Sequence, residues 1–68
     1  MDNELVLLNN LKDIRKSKGF SQEELASLVG TTRQTIIAIE KGIFNPSAKL
    51  ALLICIALDE KFEDIFFF

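Results

Sequence analysis

A chain of 68 residues accommodates one domain, and one so short buries only about 60% of its unfolded surface, leaving a marginal core unless it is stapled or self-associates. One cysteine, Cys55, and no histidine exclude an internal disulfide and a Cys/His metal set, so no metal or cofactor is expected, and a lone thiol suits a reducing cytoplasm. The formal charge of −2 would argue against a polyanionic partner if the charges were evenly spread, and they are not.

Residues 59–64, DEKFED, hold four acids and one lysine, and Asp2 and Glu4 add two acids at the other end. Residues 5–58 hold seven bases (Lys12, Arg15, Lys16, Lys18, Arg33, Lys41, Lys49) against four acids (Asp13, Glu23, Glu24, Glu40). With screening over ~8–10 Å, acidic ends do not cancel a basic face on the far side. The longest uninterrupted apolar run, Leu50 to Leu58, falls far short of the roughly 20 residues of a membrane span. The opening MDNE lacks the cationic start of a signal peptide. A soluble cytoplasmic domain is expected, with no membrane partner and no evident small-molecule ligand.

In chain order, residues 1–9 read as an arm or strand. Its ELVLL is aliphatic enough to pair with the closing IFFF as a two-stranded antiparallel ribbon, laid on the helices because two strands alone are weak. A first helix is expected from about residue 10 to 17, capped by Asn9 or Asn10, with Leu11, Ile14 and the stems of Arg15 and Lys18 on one side. Gly19 stops it. SQEE is a capping box, in which Ser21 accepts from the backbone of Glu24 and the Glu24 carboxylate reaches back. The helix it opens runs to about Val29 and is expected to bury Leu25, Leu28 and Val29.

Thr32 caps a third helix, Arg33 to Lys41, which Gly42 ends with positive φ. Asn45-Pro46-Ser47 starts a fourth, proline being tolerated in a first turn. From Ala48 to Leu58 the only polar residue is Lys49, so this helix needs cover on both sides, more than so short a monomer supplies. A second copy is the remaining partner, met through Leu53, Ile56, Phe62 and Phe66 within the dimerising segment 47–68. FEDIFFF supplies a short helical turn and then a strand. The fold class expected is all-α, four to five short helices with a small ribbon.

Residues 21–42 carry the motif. Counting from Gln22, small Ala26 sits where two steeply crossing helices touch, and Gly30 sits where the turn needs a left-handed residue. Leu25, Val29, Ile36 and Ile39 fall where a helix-turn-helix buries its inner faces. SQEELASLVGTTRQTIIAIEKG, followed by NPS, resembles the lambda-repressor/Cro-type (Xre-like) helix-turn-helix domain. The resemblance covers about residues 10–66 and is nearest to small one-domain repressors of the cytolysin-repressor type. It implies a lambda-repressor-like fold, binding to double-stranded DNA, and a homodimer whose chain ends pair as a ribbon.

The residue chemistry is an independent check. At 100° per residue, Ile36 and Ile39 face inward, while Arg33, Ile37 and Lys41 form an outer stripe flanked by Gln34 and Ala38. In a major groove, arginine pairs with guanine, glutamine with adenine, and an aliphatic group meets a thymine methyl. Arg33 and Gln34 are assigned to base edges, with Ile37, or Ala38 beside it, as the methyl reader. Ile37 departs from the family, which usually has a more polar residue there, and burial against a helix or protein partner is its other reading.

Phosphate contacts fix register. The second helix opens at Gln22, where free N–H groups favour an anion, and the family resemblance implies that this glutamine holds a phosphate. Thr32, Thr35, Lys41, Asn45 and Ser47 are the other backbone candidates. Lys12, Lys16 and Lys18 are either further contacts or a solvated face. The resemblance also implies that Glu40 turns inward to pair with Arg15, a charge-assisted link between first and third helices. Cys55 reads as a small buried hydrophobe rather than a redox sensor. Phe62, Phe66, Phe67 and Phe68 read as core and dimer contact rather than a base-stacking platform.

The function expected is a dimeric, sequence-specific repressor reading an inverted-repeat operator. The alternative is an antitoxin-like or other protein-interaction module that uses Ile37, Leu53 and Ile56, with DNA binding secondary. No nucleophile–base set or phosphate loop points to an enzyme.

Overall fold

The computed structural model describes residues 5–68, in the order β1 (Leu8–Asn9), α1 (Leu11–Ser17), α2 (Gln22–Val29), α3 (Arg33–Glu40), α4 (Ala48–Leu58), α5 (Phe62–Ile65) and β2 (Phe66–Phe67). Helices α1 to α4 begin where a short polar side chain serves a free N–H group, whereas α5 follows Lys61 with no side-chain cap. Ser21 Oγ accepts from Glu24 N–H at 3.0 Å while Glu24 Oε1 accepts from Ser21 N–H at 2.8 Å, so the capping box is complete. Thr32 caps α3 through Thr35 N–H at 3.2 Å, and Ser47 caps α4 through Leu50 N–H at 3.1 Å. Pro46 stands before that cap, outside the helix, rather than in its first turn. At α1 the cap position is Asn10, yet the side chain that accepts is Asn9, from Leu11 N–H at 3.0 Å.

Gly30 closes α2 with φ 76°, and Gly42 follows α3 with the same φ. A Cβ at either would meet nothing within 4 Å, so the demand for glycine comes from the backbone angle alone.

Leu11, Leu25, Ile36, Ile39, Ile54, Leu58 and Ile65 are fully buried, one or more from each of the five helices. Small Ala26, 3% exposed, lies in the same core beside Val29. Leu28 does not join them: it is 59% exposed. The buried arc of α2 runs from Leu25 through Val29 to Ala26, and Leu28 lies roughly 100° from its centre. No helix among the described residues is long and apolar enough to cross a membrane.

The chain ends meet as an antiparallel pair in register Leu8↔Phe67 and Asn9↔Phe66. The ribbon is shorter than ELVLL and IFFF allow, because α5 takes residues through Ile65 and only Phe66 and Phe67 remain to pair. Leu5 and Val6 are exposed, and Glu4, with the rest of residues 1–4 of the arm, lies outside the described residues. Phe66 is 2% exposed, packed in the chain's own core with its ring 5.3 Å from that of Phe62. Along β2 Phe66 is buried and Phe67 half-buried, and Phe68 beyond the strand is exposed, so Phe66 has no free surface to offer a second copy.

Candidate nucleic-acid interface

The site is built on α3, whose two faces differ. Ile36 and Ile39 are at most 1% exposed. On the other side Arg33 and Gln34 stand exposed in the first turn, Ile37 and Ala38 are half-buried, and Lys41 is exposed just past the helix end. Neither Arg33 nor Lys41 forms an ion pair among the described residues, so both cations are available. Ile37 is outside the group of partly buried apolar side chains that pack on the core. The hydroxyls of Thr32 and Thr35 lie 3.1 Å apart. That bond uses one of their two hydrogens, which leaves one to donate outward.

Glu40, a carboxylate at the end of this helix, is turned away from solvent, its side chain 4% exposed and that of Arg15 8%. Arg15 Nε donates to Oε2 at 2.6 Å and Nη2 to Oε1 at 3.4 Å, while Nη1 donates to the Phe20 carbonyl at 2.8 Å. Gln22 Nε2 also donates to Glu40 Oε1, at 3.0 Å. The negative charge that would repel a polyanion is thereby neutralised inside the fold, and three helices are tied together at one carboxylate.

Past Gly42 the chain turns back on α3. Ile43 and Phe44 N–H both donate to the Ala38 carbonyl, at 3.0 and 3.2 Å, holding the loop that carries exposed Asn45 against the helix. Ser47 is exposed, its hydroxyl oxygen already used as the α4 cap. Of the other basic residues, Lys12 and Lys16 are exposed, whereas Lys18 pairs with Glu60 at 3.1 Å.

Residues 11–65 match the family profile described as helix-turn-helix. The chain belongs to that family, in its Xre/Cro-type branch. Within this helix-turn-helix domain the motif is α2, the Gly30 turn and α3, and the match stops short of the ribbon at both ends. The HTH-type transcriptional regulator YgzD of Bacillus subtilis is 53% identical over 58 residues, 85% of this chain and 88% of its own. An HTH-type transcriptional regulator of Methanothermobacter thermautotrophicus is 56% identical over 57 residues, 82% of this chain and 83% of its own. Among solved structures, the restriction-modification controller protein C.AhdI from Aeromonas hydrophila superposes with a TM-score of 0.74 at 37% identity, covering 79% of this chain and 78% of that one.

Some features of this helix-turn-helix domain escape a reading of its sequence, the exposure of Leu52 beside Ile56 among them. Leu52 is 56% exposed and Ile56 75%, one turn apart on α4, with Phe62 45% exposed on α5. Leu53, expected on this face, is half-buried and packs on the core. The signal for Leu52 was present, since it precedes Ile56 by four residues. The Gln22–Glu40 bond and the bond from Asn9 Nδ2 to the Ile39 carbonyl at 2.9 Å left no mark in the sequence. Cys55 is buried, and that burial raises its thiol pKa. A reactive thiol needs the opposite.

Proposed function

We propose that this helix-turn-helix domain is a sequence-specific double-stranded DNA-binding regulator, a cytoplasmic homodimer that reads an inverted repeat through the major groove and represses by occluding a promoter. The observation that carries the reading is the two-sidedness of α3. Isoleucines anchor one side, an arginine with no ion partner among the described residues and a glutamine stand exposed at the tip, and the one acid of the helix is neutralised by Arg15. Arg33 and Gln34 contact base edges, and Ile37 with Ala38 meets thymine methyls. Thr32, Thr35, Lys41, Asn45, Ser47 and Gln22 hold phosphates on either side. Its relatives' description as transcriptional regulators supports the same reading.

Homodimerisation rests on the exposed apolar strip of Leu52, Ile56 and Phe62, which the monomer leaves uncovered. Two-fold symmetry sets the recognition helices α3 about 34 Å apart, one turn of DNA. Selection of bound duplexes from a random pool at physiological salt tests the whole reading. Enrichment of two half-sites in inverted orientation is expected, and a pool that stays random after repeated rounds overturns it. The same strip also fits an interaction module that grips another protein. Light scattering on the purified chain separates the two, a stable homodimer favouring the regulator and a monomer favouring the module.

A further inference from the structure

We infer that Asn9 is a positioning residue for the recognition helix, its amide clamping the C-terminal end of α3 to the ribbon and to the start of α1; the inference rests on the DNA-binding reading above. Asn9 lies on β1, outside the stretch that matches the family profile. Its backbone pairs with Phe66, its Oδ1 accepts from Leu11 N–H at 3.0 Å, and its Nδ2 donates to the Ile39 carbonyl at 2.9 Å, across thirty positions of sequence. Both ends of the amide are engaged, so its orientation is fixed. Rotated by half a turn, it would set oxygen against the Ile39 oxygen and N–H against the Leu11 N–H.

The accepting carbonyl belongs to the last turn of α3, where helix oxygens lack intrahelical partners, and it also receives Gly42 N–H at 2.9 Å. That junction matters for readout. α3 is only eight residues, about 12 Å long, with Arg33 and Gln34 at one end and Ile37 and Lys41 toward the other. Thr32 caps the first end, and the buried Glu40 carboxylate holds the second from the side facing α1 and α2. Asn9 supplies the hold from the ribbon. Releasing it lets the far end of α3 shift against the tip. DNA binding must then supply the ordering that the amide supplied, a loss of about two- to tenfold in affinity for one such bond.

The variants Asn9→Ser and Asn9→Ala separate clamp from cap. Serine is neutral, keeps a hydroxyl acceptor for the amide two residues on, and is too short to reach Ile39. Alanine loses both. The readouts are affinity for a duplex selected from the random pool and for a scrambled duplex of equal length, together with amide hydrogen exchange in the free protein. Both variants are expected to lose about two- to tenfold in the ratio of selected to scrambled affinity and to exchange faster at Lys41–Phe44. Faster exchange at Leu11 is expected for Asn9→Ala alone. A merely structural role would lower the melting temperature and leave the affinity ratio of the folded protein unchanged, which would overturn the inference. If neither variant folds, the wild-type Asn9 side-chain amide decides: slow exchange supports the clamp and free exchange overturns it. A wild type that binds both duplexes equally defeats the DNA-binding reading, and the exchange data then still decide whether the clamp exists.

Discussion

Gln22 Nε2 meets Glu40 Oε1 at 3.0 Å, linking the first residue of α2 to the last residue of α3 through a carboxylate already held by Arg15. The bond uses one of the two amide hydrogens of Gln22 and leaves the other, with the carbonyl oxygen, for a partner. A residue proposed to hold phosphate is thus oriented by the same ion pair that fixes the recognition helix.

Breaking that ion pair from one side is expected to cost about 3–5 kcal/mol, because Glu40→Ala strands the Arg15 guanidinium, whose side chain is 8% exposed. A domain of this length has roughly 3–10 kcal/mol in all. Urea titration followed by far-ultraviolet circular dichroism should find the unfolding midpoint of Glu40→Ala far below that of the wild type. The double variant Arg15→Met/Glu40→Leu, which removes both charges, should recover most of the loss. Equal stability of the single and double variants would refute the assignment.

Gly30→Ala is expected to cost about 1–2 kcal/mol through the left-handed backbone angle of 76° alone, since no neighbour lies within 4 Å of the added carbon. Gly30→Asn should cost less, because asparagine tolerates that conformation. Thermal melts of the three proteins give the order. Were alanine and asparagine equally damaging, a steric cause would have to replace the conformational one.

The parts of this fold legible in the sequence are those in which one residue's chemistry dictates its own neighbourhood. Ser21 and Thr32 announce helix starts, Gly30 announces a turn, and Ile36 with Ile39 shows an inner face at helical spacing. The misread positions depend on partners distant in the chain. Leu28 looks like core until the arc that α3 and α4 cover is known, and Leu53 trades places with Leu52 by a single 100° step. Phe66 belongs to the core because β1 fixes which face of β2 turns inward. Asn9 could be nominated as a cap, whereas its bond to Ile39 exists only once the ribbon has been laid against α3.

Ile56→Glu is expected to halve the mass measured by light scattering, since a carboxylate in an apolar seam is left unpaired. Ile56 is 75% exposed in the monomer, so monomer stability should shift by no more than about 0.5 kcal/mol. Affinity for an inverted repeat should fall steeply, with a single half-site little affected. A variant that retains the wild-type mass moves the seam away from α4.

Arg33→Ala and Lys41→Ala separate base readout from phosphate anchoring. Both side chains are exposed and form no ion pair among the described residues, so each truncation should remove a proposed DNA contact with little effect on the fold. Arginine bidentate to guanine is worth about 1–3 kcal/mol of discrimination against a wrong base. Arg33→Ala should therefore flatten preference at one position in each half-site, seen when duplexes substituted at every position are titrated in turn. In the proposed reading Lys41 donates to a phosphate, which every sequence presents. Its loss should weaken all duplexes by a similar factor and reduce the slope of log affinity against log salt by about 1 per protomer. Position-specific loss for Lys41→Ala, with uniform loss for Arg33→Ala, would reverse the two roles and turn α3 end for end in the groove. Equal indifference of both variants would remove α3 from the interface altogether.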